Sequence, residues 1–189
     1  MSGPIINLSF DLDEILLEAA PKAATVFLAL TWAGSDLGGT SASMVLQIEG
    51  KKYAFTAENG VSVSAREGDL SNPTARISLS LADIAPLIIP KNIDMLFMLP
   101  ENLKRERYEA LSKIRGEAVF HLENENGSVS RIAAVFNGAS SPKAEFRLSI
   151  ENARQLFARK NNPVSMFMGG LLKITGDIGF AMTLQPLFT

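Results

Sequence analysis

Residues 73–88 and 142–157, displaced by 142 − 73 = 69 positions, coincide at five of sixteen places: Pro73 with Pro142, Ala75 with Ala144, Leu79 with Leu148, Ser80 with Ser149 and Leu87 with Leu156. Apolar partners fill further places, Ile77 against Phe146 and Leu81 against Ile150, and the dipeptides Lys91-Asn92 and Lys160-Asn161 extend the match. Each copy reads as a strand delivered into a helix. Chance likeness between two such joints of similar composition is one account. The other is a strand-strand-strand-helix unit used twice, which would fix the plan of most of the chain.

The surrounding pattern suits that plan. Asp11 and Glu14 have the spacing of a capping box, and Leu12, Ile15, Leu16 and Ala19 fall on one helical face behind them. Pro21 is expected to end or restart this helix. Residues 25–32, rich in β-branched and aromatic side chains, then predict a strand running into the turn at 34–39. Short strands are expected over 44–48, 53–57, 61–65 and 75–80, separated by Glu49-Gly50, Asn59-Gly60 and Asn72-Pro73, giving a meander of about five strands. Residues 81–99 turn helical but are cut by Pro86 and Pro90, so two short pieces are expected. Pro100 opens a helix whose Leu103, Arg107, Leu111 and Ile114 share a face, and Gly116 is its natural stop. Strands over 118–122, 130–135 and 144–149 and a helix over 150–160 repeat the plan. Two units, 1–99 and 100–189, are thus expected within one structure, neither of them able to stand alone.

Charge and composition exclude several classes of function. The 189 residues carry 18 Lys plus Arg against 20 Asp plus Glu, a net charge of −2, with 47% apolar residues and no Cys. A disulfide scaffold, thiolate metal sites and cysteine nucleophiles are therefore ruled out. The longest charge-free apolar run, residues 23–35, is too short to span a bilayer as a helix. Residues 1–14 hold Asp11, Asp13 and Glu14 and no basic residue, the wrong chemistry for a secretory signal, so the expected location is cytoplasmic.

Catalytic chemistry is equally thin. His121 is the only imidazole, and in residues 118–123 the period of two puts it with Glu123 opposite Ala118, Phe120 and Leu122. No nucleophile or orienting partner is identifiable for it by spacing. Asp11, Asp13 and Glu14 are better explained as helix-start residues than as metal ligands. Gly34, Gly38 and Gly39 fit no phosphate-cradling loop. The basic residues Lys104, Arg105, Arg107, Lys113 and Arg115 are interleaved with Glu101, Glu106, Glu109 and Glu117, which reads as a solvated helix face and not a nucleic-acid track. No catalytic residue, metal site or cofactor is assigned.

The residues beyond Phe157 are of another kind. Only Lys173 and Asp177 are charged after Lys160, and three of the seven Met residues lie there. Met is flexible and polarizable and suits adaptable apolar surfaces. Asn162-Pro163 leads a short helix, followed by Phe167, Gly169-Gly170, the run Leu171-Leu172-Lys173-Ile174, the Gly176-Asp177 turn and an apolar helix. This succession resembles the end of the sterol carrier protein 2 domain, a family closing with a proline-led helix, a phenylalanine, a glycine, a Lys-Leu-Lys-Ile type strand, a Gly-Asp or Gly-Asn turn and an apolar helix. Residues 25–80 and 146–157 match the family's central strands and following helix more loosely. Leu171 stands where the family usually has Lys. The first unit is expected to be short of one element, because it has no counterpart of the 170–177 strand.

The expected fold is α+β: a twisted, mostly antiparallel sheet with helices packed on one face, enclosing an apolar tunnel, with an internal duplication. The resemblance implies non-catalytic binding and carrying of a long-chain lipid, whether fatty acid, acyl-CoA, phospholipid, sterol or isoprenoid. The ligand-binding candidates are Phe157, Met166, Phe167, Met168, Leu171, Ile174, Phe180, Met182, Leu184 and Phe188. The alternative is an accessory or interaction protein with a collapsed cavity, such as a scaffold in quinone or lipid biosynthesis. The partners that fit are a small-molecule lipid, a transient membrane contact and a homodimer, with no nucleic acid.

Overall fold

The computed structural model describes residues 11–31, 37–59, 62–87, 92 and 105–188. Asp11 caps the opening helix, its Oδ1 accepting from the N–H of Asp13 at 2.9 Å and of Glu14 at 3.4 Å. Helix α1 (Leu12–Glu14) passes into a π turn (Ile15–Ala19) and on into α2 (Ala20–Thr31). Here the structure departs from the expected strand, because residues 25–31 are helical; Trp32 and most of the expected 34–39 turn lie outside the described residues. Pro21 stands at the second position of α2, directly after the wide turn. The missing N–H and the clash of the ring with the preceding turn fall where the regular hydrogen-bond ladder is already interrupted. Tertiary contact outweighs the β propensity of Thr25: its hydroxyl accepts from the N–H of Val63 at 3.0 Å and donates to its carbonyl at 3.4 Å, occupying one residue of a sheet edge.

Strands β1 (Ser41–Ile48), β2 (Lys51–Glu58), β3 (Ser62–Glu67), β4 (Ala75–Leu79), β5 (Gly116–Glu123), β6 (Val129–Phe136), β7 (Lys143–Ser149) and β8 (Lys173–Gly176) form one sheet. The order is β3-β2-β1-β4-β6-β5-β7-β8. Glu49 and Gly50, at φ 47° and 91°, close the β1–β2 hairpin as a two-residue turn that needs left-handed backbone at both positions. The expected five-strand meander is corrected: of β1 to β4 only β1, β2 and β3 pair in chain order, and β4 crosses over to pair parallel with β1.

The same crossing occurs again in the second half, where β5 pairs antiparallel with β6 and parallel with β7. Ala75 sits opposite Met44, and Ala144, 69 positions on from Ala75, opposite Ala118. Each crossing strand runs straight into a helix capped by a serine, Ser80 just after β4 and Ser149 at the end of β7. Ser80 Oγ accepts from Asp83 N–H ahead of α3 (Leu81–Ile84), and Ser149 Oγ accepts from Asn152 N–H ahead of a helix at Ile150–Phe157. The triplets differ at their outer edges. The second adds β8 beside β7, whereas the equivalent place beside β4 is taken by β6 of the other triplet. The sheet is therefore continuous across both halves. The helical piece expected after Pro90 and the Pro100 start lie outside the described residues; α4 (Arg105–Lys113) follows, its last carbonyls bonded by Asn137 Nδ2, which donates to Leu111 O and Ile114 O at 2.8 Å each.

Register sets the faces. Ile77, Ala134, Ala118 and Ala144 lie in one row across β4, β6, β5 and β7, and Phe120, Ile132 and Phe146 in the next. This apolar face carries two clusters. The smaller, with Ile48, Tyr53, Phe55 and Ile84 buried, packs against Leu12, Leu16 and Leu17 of the opening helix. The larger spreads over β4–β8 beneath Leu111, Ile114 and the C-terminal helices. Arg107 departs from the expected solvated basic face; it shares the inner side of α4 and is buried. The opposite face of β5 and β7 is charged: Lys143 meets Glu117 at 3.3 Å, His121 Nε2 meets Glu145 at 3.1 Å and Arg147 meets Glu123 at 3.5 Å. Such partly exposed pairs add little stability, but they mark that face as the wet one.

Candidate functional site

The floor of a cavity is laid by three neighbouring strands. Phe120 and Leu122 of β5, Phe146 and Leu148 of β7 and Ile174 of β8 point to the apolar face because each is an even step from the next. Parallel pairing sets Phe120 opposite Phe146, and their rings stack with centroids 5.0 Å apart and planes 18° from parallel. Antiparallel pairing then sets Ile174 opposite Phe146.

Helices form the walls. Ala153, Leu156 and Phe157 come from the inner stripe of α5 (Ile150–Phe157), spaced three and four apart. Helix α6 (Pro163–Met168) starts on Asn162, whose Oδ1 accepts from Val164 N–H at 2.8 Å, and turns Pro163, Val164 and Phe167 inward. Helix α7 (Ile178–Thr183) starts on Asp177, which accepts from Phe180 N–H at 2.7 Å, and contributes Ile178, Ala181 and Met182. Leu184, Gln185 and Phe188 follow in the closing turn, with Phe188 edge-on to Phe157 at 5.6 Å. Leu172 completes the lining.

The enclosed volume is about 70 Å³. Gln185 is the one polar side chain on the wall, and no lining residue is ionisable. Such a wall cannot move a proton or hold a metal; it can exclude water from apolar matter. Among the described residues no group of three His, Asp or Glu is placed to share an ion.

Of the sequence candidates, Phe157, Phe167, Ile174, Met182, Leu184 and Phe188 line this cavity. Four others lie elsewhere. Met166 is on the side of α6 turned into the main cluster and is 1% exposed. Phe180 packs against Gly116, where a Cβ would come within 2.5 Å of its ring. Met168 and Leu171 face outward, 79% and 48% exposed, because the chain reverses at Gly169-Gly170 and presents Leu172 inward instead. The floor residues Phe120, Leu122, Phe146 and Leu148 were not among the candidates. Their alternation is visible in the sequence, but a lining strand and a core strand alternate identically.

Residues 101–189 match the model of the SCP-2 sterol transfer family, a stretch that holds every residue lining the cavity. No curated protein matches the chain. Among solved structures, the chain is similar to sterol carrier protein domain 2 of Helicoverpa armigera at 27% identity, over 54% of this chain and 87% of that one, with a TM-score of 0.41. It is similar to sterol carrier protein 2 of Yarrowia lipolytica in its apo form at 21% identity, over 50% and 92%, with a TM-score of 0.36. The ubiquinone synthesis protein UbiJ-SCP2 aligns over 95% of this chain and 93% of its own at 10% identity, with a TM-score of 0.30. What the comparisons show is thus a likeness of residues 101–189 to the SCP-2 sterol transfer family.

Proposed function

We propose that the protein binds and carries a long-chain lipid, without chemistry on it, in the cavity under α5, α6 and α7. The observation that carries this reading is a wall with one polar side chain and no charge, inside the segment that matches a sterol transfer family. Burying a sixteen-carbon chain at about 0.8 kcal/mol per methylene is worth about 12 kcal/mol gross, which ordering costs reduce to roughly micromolar affinity. Phe157, Phe167, Ile174, Met182, Leu184 and Phe188 are the side chains proposed to touch the lipid. The two strand triplets are read as copies of one unit, the second of which keeps the cavity, in a protein that works in the cytoplasm.

A volume of about 70 Å³ is below the roughly 300–1,000 Å³ of ligand pockets, so loading requires the walls to part. The sheet side is held by strand pairing. Helices α6 and α7 are six residues each; Gly169 and Gly170 follow α6, Gly176 precedes α7 and Gly179 lies in its first turn, so they are the parts that would move outward. The same small volume favours the second reading, an accessory protein whose cavity stays collapsed.

Displacement of a fluorescent fatty acid separates the two, together with mass spectrometry of an organic extract of the purified protein. The carrier gives saturable binding. Phe167→Ala, at a half-exposed wall position, should weaken it about tenfold while moving the melting temperature little. No binding by the wild type and no lipid in the extract would leave the accessory protein as the better account.

A further inference from the structure

Large apolar side chains with high exposure are not scattered over the described surface. Of nine, six fall within residues 164–182: Val164, Phe167, Met168, Leu171, Ile178 and Met182. Val164, Phe167, Ile178 and Met182 also line the cavity, so this patch is the rim of its mouth. Met168 and Leu171 belong to the patch alone. From residue 161 to 188 the only ionisable side chains are Lys173 and Asp177, of opposite sign, and Asp177 is engaged in capping α7.

We infer that this rim docks on a lipid bilayer, with Met168, Leu171 and Phe167 entering the interfacial layer and the cavity mouth turned toward the acyl chains. The inference rests on the carrier reading of the cavity. A second copy or a partner's helix seated on the patch would close the passage a lipid must use, whereas a bilayer gives the chain a path that never crosses water. The segment carries no basic cluster to draw anionic headgroups, so attachment comes from apolar insertion, works on zwitterionic membranes and resists salt.

The test uses the full chain and the double variant Met168→Asp/Leu171→Asp, neither position lining the cavity. Co-sedimentation with phosphatidylcholine vesicles and transfer of a fluorescent fatty acid out of them are measured between about 0.05 and 0.5 M salt. Affinity for the same probe without vesicles and a thermal melt are recorded alongside. The wild type should bind vesicles equally across that range. The double variant should lose about tenfold or more of vesicle binding and transfer, with solution affinity and melting unchanged.

Undiminished vesicle binding by the double variant overturns the proposal, as does binding confined to anionic vesicles and abolished by salt. A wild-type dimer that the double variant splits assigns the patch to a second copy and likewise overturns it. If the wild type binds vesicles through this patch but takes up no probe in solution, the docking surface stands and the carrier reading falls. Should the double variant melt early, Met168→Ser/Leu171→Ser makes the same comparison.

Discussion

Tyr53 is fully buried, and its hydroxyl donates to Asp13 Oδ1 at 2.5 Å while Lys51 Nζ holds the other carboxylate oxygen at 2.8 Å. The trio ties the opening helix to the β1–β2 hairpin. The hydrogen bond from Lys51, then that from Tyr53, keeps the Asp13 carboxyl below its ordinary value. Burial, then the bond to Asp13, pushes the Tyr53 phenol up to about 12 from an ordinary 10.0. A raised phenol favours the neutral form in the folded state, so its stabilisation is complete below about pH 10 and is lost as the pH rises through about 12. Tyr53→Phe should remove a fall of about 2–3 kcal/mol over that window, leaving a smaller one from Tyr108, which burial also raises. Chemical melts between about pH 9 and 12 check this; parallel losses in wild type and variant would exonerate the phenol. Asp13 acts in the other direction, its contribution fading as pH falls below about 4. The Asp11 cap is legible in the sequence because its partners are two and three residues away. Asp13 is not, because its partners lie about forty positions on.

Elements meet where a side chain is absent. Gly116 opens β5 at φ +142°, and a Cβ there would stand 2.5 Å from both Phe180 Cε2 and Pro142 O. The bare backbone lets α7 sit on the sheet, so Gly116→Ala should cost about 3 kcal/mol or more in denaturant melts and loosen the cavity's α7 wall. A loss below about 1 kcal/mol would mean that α7 is not seated through this contact. The sequence reads Gly116 as a helix stop, and α4 does end just before it, but nothing local reveals Phe180 as the reason for a glycine. Residues 25–31 show the opposite failure: their composition reads as strand, and a helix is stabilised there by docking on β3 across about forty residues of chain.

In the whole molecule, the halves are joined but not equal. The seam is the β4–β6 pairing, reinforced by Asp83 Oδ1 accepting from Arg131 N–H at 2.7 Å and by Arg105 donating to Gly38 O at 2.8 Å. All but Leu87 of the main buried cluster belongs to residues 114–184, whereas the smaller cluster buries four residues. This division changes the expectation that neither half stands alone. Expressed separately, 100–189 should melt cooperatively at a lower temperature than the full chain, and 1–99, left with an open β4 edge and little buried core, should not. Sharp melting of 1–99, or none in 100–189, would show that the core is shared otherwise.

What the sequence determined by itself is what depends on neighbours within a few positions. The strands over 116–149 with their inner and outer faces, the serine joints at Ser80 and Ser149 and the uncharged apolar tail are all of this kind. Tertiary structure alone decided the strand order, because a free β4 edge accepts whichever strand reaches it, and here β6 fills the place that β8 takes beside β7. It also sorted the tail. A six-residue helix spans under two turns and points side chains in every direction, so an all-apolar stretch such as α6 carries no asymmetry to read. Met166 faces core, Phe167 cavity and Met168 water because of what surrounds the helix, and that is set by residues far away in the chain.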